Sequence, residues 1–274
     1  MASSTVNDAV ALYKMLKTEW DRPAHSLEKC EGLLAKLKIY LTKLSFLPIL
    51  SSGLSKQELV IARDVLEIGA LHSIETKDNA SFERYLAQLK CYYFDYSSEL
   101  PESAYKYQLL GLNLLCLLSQ NRVSEFHTEL ELLPLSEIKN NVYIRHPVSL
   151  EQYLMEGSYN KIFLSKGNVP SKYYTYFIDL LLDTIRVDIG GCIEKAYERI
   201  SETEAARLLF FEPGKPGLAE YAARRKWTLN GKREYNFNDA AKSNSNQPGQ
   251  HKKVPADAIA LQVLDYAREL EMIV

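Results

Sequence analysis

Cysteine is scarce in this chain, with four among 274 residues. Cys30, Cys91, Cys116 and Cys192 lie far apart, and no pair has the spacing of a metal site or a redox motif. They read as buried, reduced thiols. The five histidines are equally scattered. His127-Thr128-Glu129 has the H-x-E outline of a zinc deaminase, but no P-C-x-x-C follows it. Basic excess is also missing: Lys plus Arg is 33 against 35 for Asp plus Glu, a net charge of -2. A dedicated nucleic-acid binder shows the opposite balance over its binding domain. The longest apolar run, Leu109 to Leu118, is interrupted by Gly111 and Asn113 and is too short to span a bilayer. The opening residues hold no basic region followed by an apolar stretch, so no secretory signal is expected. These readings predict a soluble, intracellular protein without a metal or cofactor.

Catalytic signatures are absent as well. The sequence has no G-x-S-x-G, no phosphate loop, no H-E-x-x-H and no dinucleotide fingerprint. Paired acids such as Glu129 and Glu131 sit among polar helical neighbours and read as solvated surface. No catalytic residue is assigned.

What the sequence does hold is helical periodicity. Ser55-Lys56-Gln57-Glu58 is a capping box, and Leu59, Ala62, Leu66 and Gly69 mark one helical face after it. Asn79 is the expected cap of "ASFERYLAQLKCYY", and Pro101 the expected first turn of "ESAYKYQLLGLNLLCLLSQ". Gln120-Asn121 reads as a turn, and Pro134 as the stop of "VSEFHTELELL". Ser149 to Gln152 is a second capping box, expected to open the next helix. Leu34, Leu37, Leu41 and Leu44 keep heptad spacing for under two heptads, which fits core packing better than a coiled coil. Short polar turns and uneven helix starts predict a degenerate, TPR-like helical-repeat solenoid over residues 1–168.

The texture changes after Pro170. A long apolar helix is expected to break at Gly190-Gly191, followed by a helix "CIEKAYERI". Ser201 to Glu204 is a third capping box, opening "EAARLLFF". Pro213, Gly214, Pro216 and Gly217 end that helix, and a short helix carries Arg224, Arg225 and Lys226 in its last turn. Asn230-Gly231 between extended segments is a strong hairpin signal. Three helices and a hairpin predict a winged helix over residues 169–238. Residues 239–254 are polar and read as a flexible linker. Pro255 opens a separate C-terminal helix over 255–274.

Helical repeats followed by a winged helix resemble the PCI domain. "LEIGALHSI" (66–74), "LMEGSYNKI" (154–162), "GCIEKAYERI" (191–200), "EAARLLFF" (204–211) and "DYARELEMIV" (265–274) resemble the small PCI subunits of the 26S proteasome regulatory-particle lid. The resemblance covers nearly the whole chain. It implies a non-catalytic scaffold subunit of the lid, required for lid assembly and ubiquitin-dependent degradation, in the cytoplasm and nucleus. Its implied partners are other PCI and MPN lid subunits, and an intrinsic ubiquitin-receptor subunit. The isopeptidases of such complexes use an H-x-H metal motif, which this sequence lacks. PCI subunits of the COP9 signalosome or of initiation factor 3 share the architecture and form the alternative.

Two segments are the candidate interfaces. Around the hairpin, five basic residues stand against two acidic ones between Gly217 and Glu234. Phosphate binding is the sharp reading of that patch. However, the helix body of Leu218, Ala219, Tyr221, Ala222 and Ala223 offers few base-edge donors. Basic residues also favour a helix C-terminus for dipole reasons alone. A protein partner is therefore expected at Arg224, Arg225, Lys226, Tyr235 and Phe237, by sheet continuation along the hairpin. No nucleic acid and no membrane are expected partners. In the last helix Ile259, Val263, Tyr266 and Leu270 line one face, with Leu264 widening it and Met272, Ile273 and Val274 finishing it. A helix this apolar is normally buried. The resemblance implies that it joins the terminal helices of other lid subunits in a bundle.

Overall fold

A computed structural model describes residues 2–22, 26–43, 56–97, 100–211, 217–231, 233–237 and 256–272. Ser55, Leu44, Lys232, Pro213, Gly214, Pro216, the linker 239–254, Ile273 and Val274 lie outside the described residues. Among the described residues the chain forms thirteen helices and one three-stranded sheet. It divides into two compact units, Met1–Asp188 and Ile189–Val274.

The first unit holds α1 (Ala2–Trp20), α2 (Leu27–Lys43), α3 (Lys56–Glu75), α4 (Asn79–Phe94), α5 (Lys106–Ser119), α6 (Val123–Glu131), α7 (Leu135–Asn140), α8 (Val142–Met155) and α9 (Tyr159–Ser165). The helix α10 (Tyr174–Ala196) begins in it. Helices adjacent in sequence pack on one another from α1 through α6 and from α7 through α9, as short connections favour, and α5 also packs along α8. Leu34, Leu37 and Leu41 are core residues of α2. Helix α5 is buried at every position from Gln108 to Ser119. A helix buried all round, even at Gln108, Asn113 and Ser119, is a core helix.

Several helix boundaries differ from the sequence reading, each for a local reason. Asp78, not Asn79, caps α4, its carboxylate accepting from the Ser81 N–H at 3.1 Å. Pro101 precedes α5 rather than opening it, and its carbonyl accepts from Arg63 Nη1 at 2.6 Å. Ser149 lies inside α8, because Asn141 caps the helix two turns earlier by accepting from the Tyr143 N–H. Cys91 and Cys192 are exposed, whereas Cys30 and Cys116 are buried. The Gln120-Asn121 turn is present, with Asn121 at φ 60°. There the Arg122 N–H donates to the Leu117 carbonyl and the Asn121 N–H to that of Leu118, the two bonds of a Schellman motif. Lys77, Gly157, Phe210 and Lys226 close their helices with the same pair of bonds.

The second unit begins on the last turns of α10. Gly190-Gly191 does not break that helix, which runs through to Ala196. The expected helix "CIEKAYERI" ends there too, since Arg199–Ser201 is strand β1. Then follow α11 (Glu202–Leu208), α12 (Gly217–Arg225), β2 (Thr228–Leu229), β3 (Glu234–Asn236) and α13 (Ala256–Glu271). Ser201 caps α11, the first half of the expected capping box, while Glu204 meets the Ser201 hydroxyl in place of its N–H. The Glu204 N–H donates to Ser201 Oγ at 3.3 Å, while the Ser201 hydroxyl donates to Glu204 Oε2 at 3.1 Å. The sheet order is β1-β3-β2, antiparallel throughout, with Tyr235 opposite both Ile200 and Leu229. The hairpin closes at Asn230, whose N–H donates to the Glu234 carbonyl at 2.8 Å. Helices and sheet enclose a core of Ile193, Ile200, Ala205, Leu209, Leu218 and Phe237, with Trp227 and Phe211 packed against it.

Candidate protein-interface surfaces

The winged helix is organised around Trp227. Its ring packs edge-on against Tyr221, Tyr235 and Phe237, at centroid distances of 5.5, 5.4 and 5.1 Å. Its indole N–H donates to Glu194 Oε1 at 2.7 Å, tying the hairpin to α10. Tyr235 and Phe237 are thereby placed in the core, because strand alternation turns positions 235 and 237 inward and Glu234 and Asn236 outward. Their rings hold the sheet to the helices and offer no free surface. Burial also raises the pKa of the Tyr235 hydroxyl.

The basic trio is not a uniform patch. Arg224 and Lys226 are exposed. Arg225 is turned back, with Nη1 3.6 Å from Glu194 Oε1 and its guanidinium 5.9 Å from the Tyr221 ring centre. Lys226 adopts φ 59° as the residue that ends α12. One of the three cations is therefore committed within the module, and a second sits on a helix terminus that favours positive charge. The outermost strand β2 exposes both Thr228 and Leu229. Glu194, the acceptor that fixes Trp227 and restrains Arg225, was not legible in the sequence. It lies some thirty residues upstream in an unremarkable helical turn.

Helix α13 is different in kind. Every side chain described on it is exposed, including Ile259, Val263, Leu264, Tyr266 and Leu270, and Met272 just beyond it is 73% exposed. Leu261 is exposed as well. Single exposed apolar residues are ordinary, whereas Ile259, Val263, Tyr266 and Leu270 fall on one face of α13 as an exposed apolar stripe. Among the described residues no cluster of His, Cys, Asp and Glu is arranged to hold a metal, and no helix is long and apolar enough to cross a membrane.

Packed helices leading into a winged helix, with an exposed amphipathic helix at the end, define a PCI-type domain. A family model described as CSN8/PSMD8/EIF3K matches residues 104–246. A 26S proteasome non-ATPase regulatory subunit 8 homolog A of Arabidopsis thaliana is 41% identical over 248 residues, covering 89% of this chain and 90% of the relative. The 26S proteasome non-ATPase regulatory subunit 8 of Caenorhabditis elegans is 37% identical over 268 residues, covering 96% and 99%. The 26S proteasome regulatory subunit RPN12 of Saccharomyces cerevisiae is 35% identical over 254 residues, covering 89% and 92%. The chain belongs to the CSN8/PSMD8/EIF3K family.

Proposed function

We propose that this chain is a non-catalytic scaffold subunit of the 26S proteasome regulatory-particle lid, acting in ubiquitin-dependent degradation in the cytoplasm and nucleus. The observation that carries the reading is the uncovered apolar face of α13, in a chain whose relatives carry proteasome-subunit names along nearly their full length. Each large side chain buried on that face contributes about 1.5–3 kcal/mol. Four or five of them suffice to hold a subunit in a complex after ordering costs. Its work is binding energy and geometry, with no turnover. The solenoid 1–168 and the winged helix 169–238 present surfaces to neighbouring PCI and MPN subunits and to a ubiquitin-receptor subunit. The segment 239–254 tethers the anchoring helix 255–274.

The exposed edge of β2 suits continuation of the sheet into a neighbour. The partial neutralisation of Arg225 argues against a groove-reading role. A PCI subunit of the COP9 signalosome or of initiation factor 3 is the second reading, favoured by the breadth of the matched family. The test is a native pull-down of the tagged full chain beside a chain ending at residue 254, with mass spectrometry of the captured proteins. Proteasome subunits with the full chain and none with the truncation are expected. Equal capture by both would move the attachment to the winged helix or the helical unit. Capture of signalosome or initiation-factor subunits would replace the assignment.

A further inference from the structure

A concave site in the first unit lies between α2, α3 and α4 and is remote in sequence from both surfaces above. Its volume is about 250 Å³, and its walls include Lys38, Leu41, Leu66, Ser81, Arg84 and Tyr85. This is below the roughly 300–1,000 Å³ of small-molecule sites and is the size of a pocket for one large side chain. The floor is apolar: Leu41 and Leu66 are core residues, and Tyr85 is only 9% exposed.

Gly69 sets that floor. A Cβ on it would stand 2.6 and 2.7 Å from Cε1 and Cζ of Tyr85, so the missing side chain lets the ring lie against α3. The Lys38 ammonium sits over the outer face of the same ring, 4.7 Å from its centre. Across the pocket, Arg84 Nη2 donates to the Ser81 hydroxyl at 2.8 Å. Both cations are exposed. Neither forms an ion pair with a carboxylate among the described residues, and no acid lines the pocket. Asp78, the acid at the start of α4, accepts from the Ser81 N–H outside the pocket. Hydrogen bonds from the Ser81 hydroxyl and N–H, together with the charge of Arg84, hold its carboxyl below the ordinary range.

Two exposed cations at the rim of an apolar pocket that no acid lines select a ligand that is apolar at its centre and acidic at its flanks. We propose that this groove docks an acidic peptide segment of a partner protein, with a leucine or phenylalanine seated on Leu41, Leu66 and Tyr85 and flanking carboxylates on Lys38 and Arg84. A bare phosphate or a nucleic-acid backbone satisfies the two cations but leaves the floor empty. Charge complementarity and the anchor pocket together favour the peptide.

The test uses the full chain and a fluorescein-labelled hexapeptide, Glu-Asp-Leu-Phe-Asp-Glu, with both ends blocked. Fluorescence anisotropy is expected to give a dissociation constant on the order of 100 µM. The counterpart with lysine for every acid is expected not to bind. The double variant Lys38→Ala, Arg84→Ala alters only exposed side chains, so it keeps its helical circular dichroism and is expected to lose about tenfold in affinity. Methyl-labelled leucine spectra are expected to show the Leu41 and Leu66 signals moving on titration. Unchanged affinity in the double variant, or signals moving elsewhere, would overturn the site. Equal binding of a peptide with serine for Leu-Phe, or competition by millimolar inorganic phosphate, would make it an anion site and overturn the peptide assignment. Tighter binding by the chain ending at residue 254 would identify the occupant as the chain's own tail, with Glu269, Glu271 and Met272, and the partner assignment would fall.

Discussion

The hydroxyl of Tyr174 stands 3.1 Å from the backbone carbonyl of Tyr143 and 3.3 Å from that of Gln108, with the nearer carbonyl the better placed acceptor of its one proton. Pro147 lies inside α8, four residues beyond Tyr143, and has no N–H to give that carbonyl. Tyr174, fully buried at the start of α10, supplies the missing donor from another helix. Gly111 of α5 makes room, since a Cβ there would stand 2.4 Å from the Tyr143 oxygen and 2.3 Å from the Tyr174 oxygen. A proline defect, a tyrosine and a glycine on three helices thus form one unit.

That unit predicts a coupling. Tyr174→Phe removes the donor and leaves a buried carbonyl unpaired, at about 1–3 kcal/mol. In a Pro147→Ala background the new Ala N–H takes over the Tyr143 carbonyl, so the same substitution is expected to cost roughly half as much or less. Urea unfolding of the four proteins measures the difference. Equal costs in both backgrounds would show that the hydroxyl does not compensate for the proline.

Gly190 makes the second prediction. A Cβ on it would meet the Tyr221 hydroxyl oxygen at 2.0 Å. Alanine in a helix interior normally gains up to about 1 kcal/mol over glycine. Here Gly190→Ala must displace a ring that packs on Trp227 and Phe211, at about 1–3 kcal/mol. The net expectation is a loss of about 1–2 kcal/mol, most of it recovered by adding Tyr221→Phe. Trp227 fluorescence during urea unfolding, in a Trp20→Phe background, reports it. A stabilised single variant would refute the close approach.

The same glycine marks where sequence reading succeeds and where it stops. Gly190-Gly191 looks like a helix break because glycine is a poor helix former, yet the residue answers to a ring 31 positions away that no local pattern announces. The Ser201 cap and the Asn230 hairpin were legible because their bonds close within a few residues. The box at Ser149 misled because Asn141 had already started the helix, which continues past Pro147 where Tyr174 gives a donor to the freed carbonyl. The apolar face of α13 was readable from periodicity. The inward placement of Tyr235 and Phe237 was not, since alternate aromatic positions share one strand face without saying whether the core or a partner takes it. Arg225 looked like free charge until Glu194 of α10 was placed beside it.

A buried polar cluster on α3 gives a pH prediction. Tyr93 donates to Glu67 Oε1 at 2.7 Å, Tyr13 to Asp64 Oδ2 at 2.8 Å, and Arg63 Nη2 to Asp64 Oδ1 at 2.9 Å. Burial, the largest influence, pushes the Glu67 carboxyl above its ordinary 4.5, against hydrogen bonds from Ser103 and Tyr93 and the charge of Arg63. A group that holds its proton more tightly when folded gives its full stability below its unfolded pKa. That contribution is lost as pH rises through the folded value. Glu67→Gln removes the titration. The stability of the wild type relative to this variant is therefore expected to fall from pH 4.5 toward neutrality, measured by urea unfolding across that range. A difference that stays flat or rises with pH would contradict the burial effect.

Helix α13 allows folding and assembly to be tested separately. Leu264 and Tyr266 are 65% and 68% exposed, so in the free chain they contact little. Leu264→Asp with Tyr266→Asp should leave the melting of the isolated chain nearly unchanged, within about 0.5 kcal/mol for each exposed substitution. In a complex the same two carboxylates would be forced into an apolar seam without partners, at several kcal/mol. Incorporation into native assemblies, followed by native gels and mass spectrometry, is therefore expected to collapse while the free subunit stays folded. A marked fall in the melting temperature of the free chain would mean that α13 packs on its own domain, and its role as a detachable anchor would have to be given up.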